Sequence, residues 1–155
     1  MILIFFLTQD TRYFVVKSFN SENVTQAQEE AKDVWATQEK NEELFAEAFH
    51  NTRNVILIFS VNKSAAFQGY ARMESAPGTA QTPSWAKTLL WKSSGPFRIK
   101  WITIAETRFN RVSHLRNALN EDQPVLIGRD GQEIEEDCGA ALCDIMDQEA
   151  DRMHS

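Results

Sequence analysis

The chain has 155 residues, 43% apolar and 10% aromatic, which is enough for one hydrophobic core and one ordinary domain. A formal charge of -6 argues against a protein that grips nucleic acid through bulk positive potential, although a local basic patch can still be built from its 16 Lys and Arg. The two cysteines, Cys138 and Cys143, match neither a redox pair nor a zinc half-site in spacing, and point to a reduced intracellular protein.

The opening MILIFFL is apolar but short, with no basic start and no small-residue cleavage site. It reads as an edge strand or a packed arm, not as a signal peptide or a membrane span. RYFVVKS (12–18), rich in β-branched and aromatic residues, predicts a strand, and SENVTQAQEEAK (21–32) predicts a helix with a Ser N-cap candidate. Trp35, in DVWATQ, falls at the junction between that helix and the next. KNEELFAEAFHN (40–51) places Leu44, Phe45, Ala48 and Phe49 on one stripe, with Asn41 able to cap and acidic residues in the first turn.

NVILIFSVN (54–62) is an unbroken apolar run, the mark of a central strand buried on both faces. AFQGYARMES (66–75) alternates Phe67, Gly69, Ala71 and Met73 against Gln68, Tyr70, Arg72 and Glu74, and predicts its antiparallel partner. PSWAKTLLW (83–91) reads as a loop, opened by Pro83 and closed by Ser93, Ser94, Gly95 and Pro96, yet it holds Trp85 and Trp91. FRIKWITIAE (97–106) predicts a strand with Phe97, Ile99 and Trp101 inward. RVSHLRN (111–117) reads as a short helix, and EEDCGAALCDIMDQEADRM (135–153) as a long one whose face carries Cys138, Ala141, Leu142, Ile145 and Met146. The fold class expected is α/β: a single domain with a curled mixed sheet, open-barrel-like, flanked by helices.

No catalytic pattern is visible. His50, His114 and His154 have no ligand spacing, no nucleophile-elbow or phosphate-loop motif occurs, and the carboxylates run along solvated helix faces. No catalytic residue, metal or cofactor is therefore expected, and binding is the better class. Trp35, Trp85 and Trp91 at connections suggest an aromatic pocket for a flat or methylated group, against the plainer reading of plugs over the core. GRDGQEIEED (128–137) is open to two readings: a hairpin turn, or a loop in which Arg129 holds an anion while Asp130 orders the backbone.

Taken in order, RYFVVKSFNSENV, DVWATQEKNEELFAEAFHN, NVILIFSVNKSAAFQGYARM, the Trp-containing loop, FRIKWI and QPVLIGRDGQEI resemble a YTH domain over roughly residues 8–145, nearly the whole chain. The likeness is closer to the nuclear splicing-linked and polyadenylation-factor branches than to the cytoplasmic one. It implies a reader of single-stranded RNA carrying N6-methyladenosine, on a curled sheet of about six strands. Residues 1–155 would then form one such domain, without membrane association, monomeric and embedded in a larger nuclear protein.

By the family pattern, an aromatic cage maps onto Trp35 and Trp85, with Trp91 as third wall and Leu90 as its alternative. The carbonyl of Ala36 would accept the remaining N6–H, Asn23 would meet a ring nitrogen of the base, and Ser18 and Phe19 would lie at the same site. Phe19 departs from the family, where Tyr or Asn can reach the base, because Phe cannot hydrogen-bond. Lys17, Arg129 and Asp130 would hold the RNA backbone, with Arg98 and Lys100 as outlying contributors. Two rivals remain at this point: a YTH fold that binds RNA without reading the methyl, and a groove for a peptide.

Overall fold

The structure, a computed structural model, describes residues 10–18, 21–29, 34–78 and 93–154. In chain order these form β1 (Thr11–Ser18), α1 (Ser21–Glu29), β2 (Val34–Gln38), α2 (Glu42–Asn51), β3 (Asn54–Val61), β4 (Ala66–Met73) and β5 (Ser93–Arg108), then β6 (Arg116–Asn117), β7 (Gln123–Pro124), β8 (Glu133–Ile134) and α3 (Glu136–Met153). The main sheet has six described strands in the order β2-β5-β4-β3-β1-β8, while β6 and β7 pair as a separate ribbon. β1 runs parallel to β3, from Thr11 opposite Asn54 to Ser18 opposite Val61, and the other pairs are antiparallel. The sheet is thus mixed and flanked by helices, as the apolar patterning implies.

β3 explains the unbroken run in its sequence. Val55, Leu57 and Phe59 face a core shared with Val24 and Ala27 of α1 and Phe45 and Ala48 of α2. Ile56 and Ile58 face a second core shared with Leu142 and Met146 of α3. With helices on both faces, the run from Val55 to Phe59 is apolar throughout because no face is left for water, and the Ser60 hydroxyl that follows is buried on the Ala66 carbonyl. Each Phe or Leu so enclosed stabilises the fold by about 2 kcal/mol.

β4 departs from simple alternation. Ala71 and Met73 enter the first core, but Phe67 sits with Tyr70 in the second. The pairing with β5 slips between Phe67 and Gly69, where two steps along β4 oppose three along β5, and Phe67 and Tyr70, three apart, share the second core. Gly69 makes it feasible: its φ is +152° and a Cβ there would lie 2.5 Å from the Thr103 carbonyl oxygen. A second shift between Tyr70 and Ala71 turns β5 likewise, so that Ile99 belongs to the first core while the Thr103 hydroxyl donates to Asp147 of α3 at 2.5 Å.

Three local expectations need correction. Ser93 to Pro96 are not the end of a loop but the first residues of β5, paired with β2. Trp35 lies inside a strand, not at a connection. Residues 111–117 form no helix: a 3-10 turn at Phe109–Arg111 leads into β6. There Asn117, fully buried, accepts from the N–H groups of Leu119 and Glu135 and donates to the Glu133 carbonyl at 2.9 Å, which draws the chain out of helical geometry. The opening MILIFFL lies outside the described residues.

Candidate nucleic-acid interface

Trp35 is 2% exposed, and its ring meets that of Phe59 at 4.9 Å with planes 86° apart. Phe59 meets Trp101 in turn at 4.6 Å. β2 and β3 stand three places apart in the sheet, which in a flat sheet would hold them about 14 Å apart. Only a strongly curled sheet brings the Trp35 and Phe59 rings together, so the curl is what positions Trp35.

The residue after it is set by strand phase. The carbonyls of Pro96 and Arg98 accept from Gly78 and Glu74, away from β2. Those residues stand opposite Ala36 and Val34, so the β2–β5 ladder exchanges its bonds at Trp35 and Phe97, and Ala36 turns its N–H and C=O to the open side of β2. β2 ends the sheet order, and no described strand lies beyond it. A buried aromatic ring and an outward carbonyl thus stand on consecutive residues of one edge strand.

A second group of predicted residues gathers around Asp130. One of its carboxylate oxygens accepts from the Lys17 backbone N–H at 2.9 Å, and the other accepts from the Asn41 amide at 3.0 Å. Burial raises the Asp130 carboxyl above its ordinary value, and the Lys17 N–H, Lys40 and Asn41 oppose the shift. Gly131, at φ +90°, packs directly on the Asn41 amide, where a Cβ would collide, and its N–H donates to the Val15 carbonyl at 2.8 Å. Asp130 therefore fixes the 128–131 loop to β1 and to the turn after β2, and leaves Arg129 exposed with no ion pair to a described carboxylate.

Lys17 is oriented differently from a simple surface cation. Its ammonium donates to the Ser60 hydroxyl at 3.2 Å and lies 5.5 Å from the centre of the Phe109 ring, on the face of β1 opposite the Trp35 core. Burial lowers its pKa, and Asp130 opposes that. Ser18, Asn23 and Ala36 are all buried, whereas Arg98 and Lys100 are exposed. Phe19, Trp85, Leu90 and Trp91 lie outside the described residues. Among the described residues, no group of three or more His, Cys, Asp or Glu side chains is placed to hold a metal ion.

Residues 11–147 match the family described as the YT521-B-like, or YTH, domain. The chain belongs to the YTH family. It is 46% identical over 143 residues to YTH domain-containing protein 1 of Drosophila melanogaster, covering 89% of this chain and 19% of that protein. It is 42% identical over 142 residues to the 30-kDa cleavage and polyadenylation specificity factor 30 of Arabidopsis thaliana, covering 90% and 22%. The chain thus spans about a fifth of the length of these curated relatives. Among solved structures, the Toxoplasma CPSF4 YTH domain, crystallised with a 7-mer m6A-modified RNA, superposes with a TM-score of 0.82 at 32% identity, covering 91% of this chain and 93% of that one.

Within this YTH domain, Asn41 is the partner of Asp130 that sequence reasoning misplaced. It stands at the N-cap position of α2 but makes no side-chain cap bond, because its amide is committed to Asp130 and, at 3.4 Å, to the Thr37 hydroxyl. The only sequence signal was an Asn before an acidic helix start, which is the signature of a cap.

Proposed function

We propose that this YTH domain reads N6-methyladenosine in single-stranded RNA. The observation that carries the reading is the pairing, on consecutive residues of an edge strand, of the Trp35 ring with the outward carbonyl of Ala36. A methylated adenine needs both: an aromatic face to stack on, and an acceptor for its one remaining N6–H. Trp85, with Trp91 or Leu90, completes the cage, and Asn23, Ser18 and Phe19 border the base. Arg129 on its Asp130-held loop, with Lys17, binds phosphates. The crystallised Toxoplasma relative with its m6A-modified RNA supports this assignment.

The methyl group adds about 0.8 kcal/mol by leaving water for an apolar cage. An unmodified adenine would bury a second N–H without an acceptor, at a cost of about 1–3 kcal/mol. Together these terms give a preference of roughly twentyfold to several hundredfold. We further assign the unit, residues 1–155, to a larger nuclear protein engaged in mRNA processing, a reading supported by the polyadenylation factor among its relatives.

Calorimetric titration with two short RNAs differing by one N6-methyl tests the reading. At least about twentyfold tighter binding of the methylated strand is expected. Equal binding would leave an RNA binder blind to the methyl, and absence of binding would sink the RNA assignment.

A further inference from the structure

Four strand ends meet at one rim of the main sheet. β1 and β3 finish there, at Ser18 and Val61, β4 begins there, at Ala66, and β5 finishes there, at Arg108. Backbone bonds tie the rim together, from the Asn62 N–H to the Ser18 carbonyl at 2.8 Å and from the Phe109 N–H to the Ala65 carbonyl at 2.9 Å. Four described cations follow one another along it. Arg129 stands on the loop whose Gly131 N–H bonds to Val15 of β1, Lys17 is the last residue but one of β1, Lys63 sits in the turn after β3, and Arg108 closes β5. From β1 to β5 is three strand spacings, about 14 Å. A chain of formal charge -6 thus gathers positive charge at one edge of its sheet.

Lys63 is presented rigidly. Its turn holds two non-glycine residues in the left-handed region, Lys63 at φ +68° and Ala65 at φ +54°, which L residues adopt only at a cost. Side chains lock it there: the Ser64 hydroxyl donates to the Val61 carbonyl at 2.6 Å, and the Gln68 amide accepts from the Val61 N–H at 2.7 Å and donates to the Ser64 hydroxyl at 3.0 Å. Lys63 is exposed and has no ion pair to a described carboxylate. Arg108 is exposed too, and its pair with the equally exposed Glu106, at 3.4 Å, is too weak to compete with a phosphate.

We propose that this rim carries the RNA backbone beyond the base site, with Lys63 and Arg108 as phosphate contacts additional to Lys17 and Arg129. The inference rests on the RNA reading and adds a path to it. The rim adjoins the base site because the Trp35 ring rests on Phe59, two residues before β3 ends. Cations spread over the ends of successive strands suit a linear polyanion, whereas a small anion needs its donors converging on one point. Such contacts act through charge, so they add affinity without reading sequence or the methyl.

Anisotropy titrations over a salt series, with a methylated pentanucleotide and the same sequence extended by three nucleotides at each end, test the proposal. The double variant Lys63→Asn, Arg108→Gln keeps a residue that tolerates the left-handed turn and alters only exposed side chains, so its thermal midpoint should hold. It should lower the magnitude of the salt slope for the long RNA by about 1.4 and weaken its binding about tenfold at about 0.15 M salt, with the short RNA and the methyl preference unchanged. Arg53→Gln, which removes an exposed charge at the opposite end of β3, should leave the slope as it is. An unchanged slope in the double variant, a loss confined to methylated strands, or an equal loss in Arg53→Gln would each overturn the path while sparing the reader. Failure of the parent domain to bind either RNA would overturn both.

Discussion

Trp35 is both a core residue and a proposed ligand contact, and these roles separate by substitution. Trp35→Ala removes a fully buried ring and should cost about 3–5 kcal/mol of stability together with the methyl preference. Trp35→Leu keeps apolar bulk but no aromatic face, so denaturant unfolding should show a smaller loss while RNA titration shows the preference gone. Retained preference in Trp35→Leu would remove Trp35 from the cage. Asp130 makes a pH prediction. Its carboxyl is raised by burial, so the folded state holds a proton that the unfolded chain releases near 3.8, and stability present below that pH falls as pH rises through the raised value. Asp130→Asn should abolish this fall in a pH series of thermal melts; an unchanged profile would show that another group causes it. The aromatic identity of Trp35 was legible from residue type. The tie between Asn41 and Asp130 was not, since partners 89 residues apart leave no local pattern.

The strands carried clear signals where burial is uniform or strictly alternating, as in β3 and the first half of β5. They misled where the backbone slips. Alternation assigned Phe67 to the face of Met73, but beyond the slip at Gly69 it stands on the other, and one glycine in a strand does not announce how register will shift. Gly69→Ala forces a Cβ against the Thr103 carbonyl at a positive φ, and should cost about 1–3 kcal/mol in chemical denaturation. A neutral effect would mean that β4 and β5 can re-register. β2 escaped detection because five residues bounded by polar chain hold too little periodicity, and the apparent helix at 111–117 lost to the buried Asn117.

For the molecule as a whole, the charge of -6 sets RNA affinity against a repulsive background, so binding should be modest and salt-sensitive. With about two to four phosphate contacts, the logarithm of affinity should fall against the logarithm of salt with a slope of about -1.5 to -3, and Arg129→Ala should reduce its magnitude by about 0.7 while weakening methylated and unmodified strands alike. A loss confined to the methylated strand would contradict a phosphate role. The fold class and its curl were implied by element order and by the family likeness, but the closure that makes the curl effective is long-range. β1, near the start of the chain, pairs with β8 at Tyr13–Ile134 and takes its Lys17 bond from Asp130. A growing polypeptide leaving the ribosome can therefore lay β1 against β3 as soon as residue 61 is free, but the Asp130 and β8 contacts that lock β1 from its other side wait until residue 134 has cleared the exit tunnel.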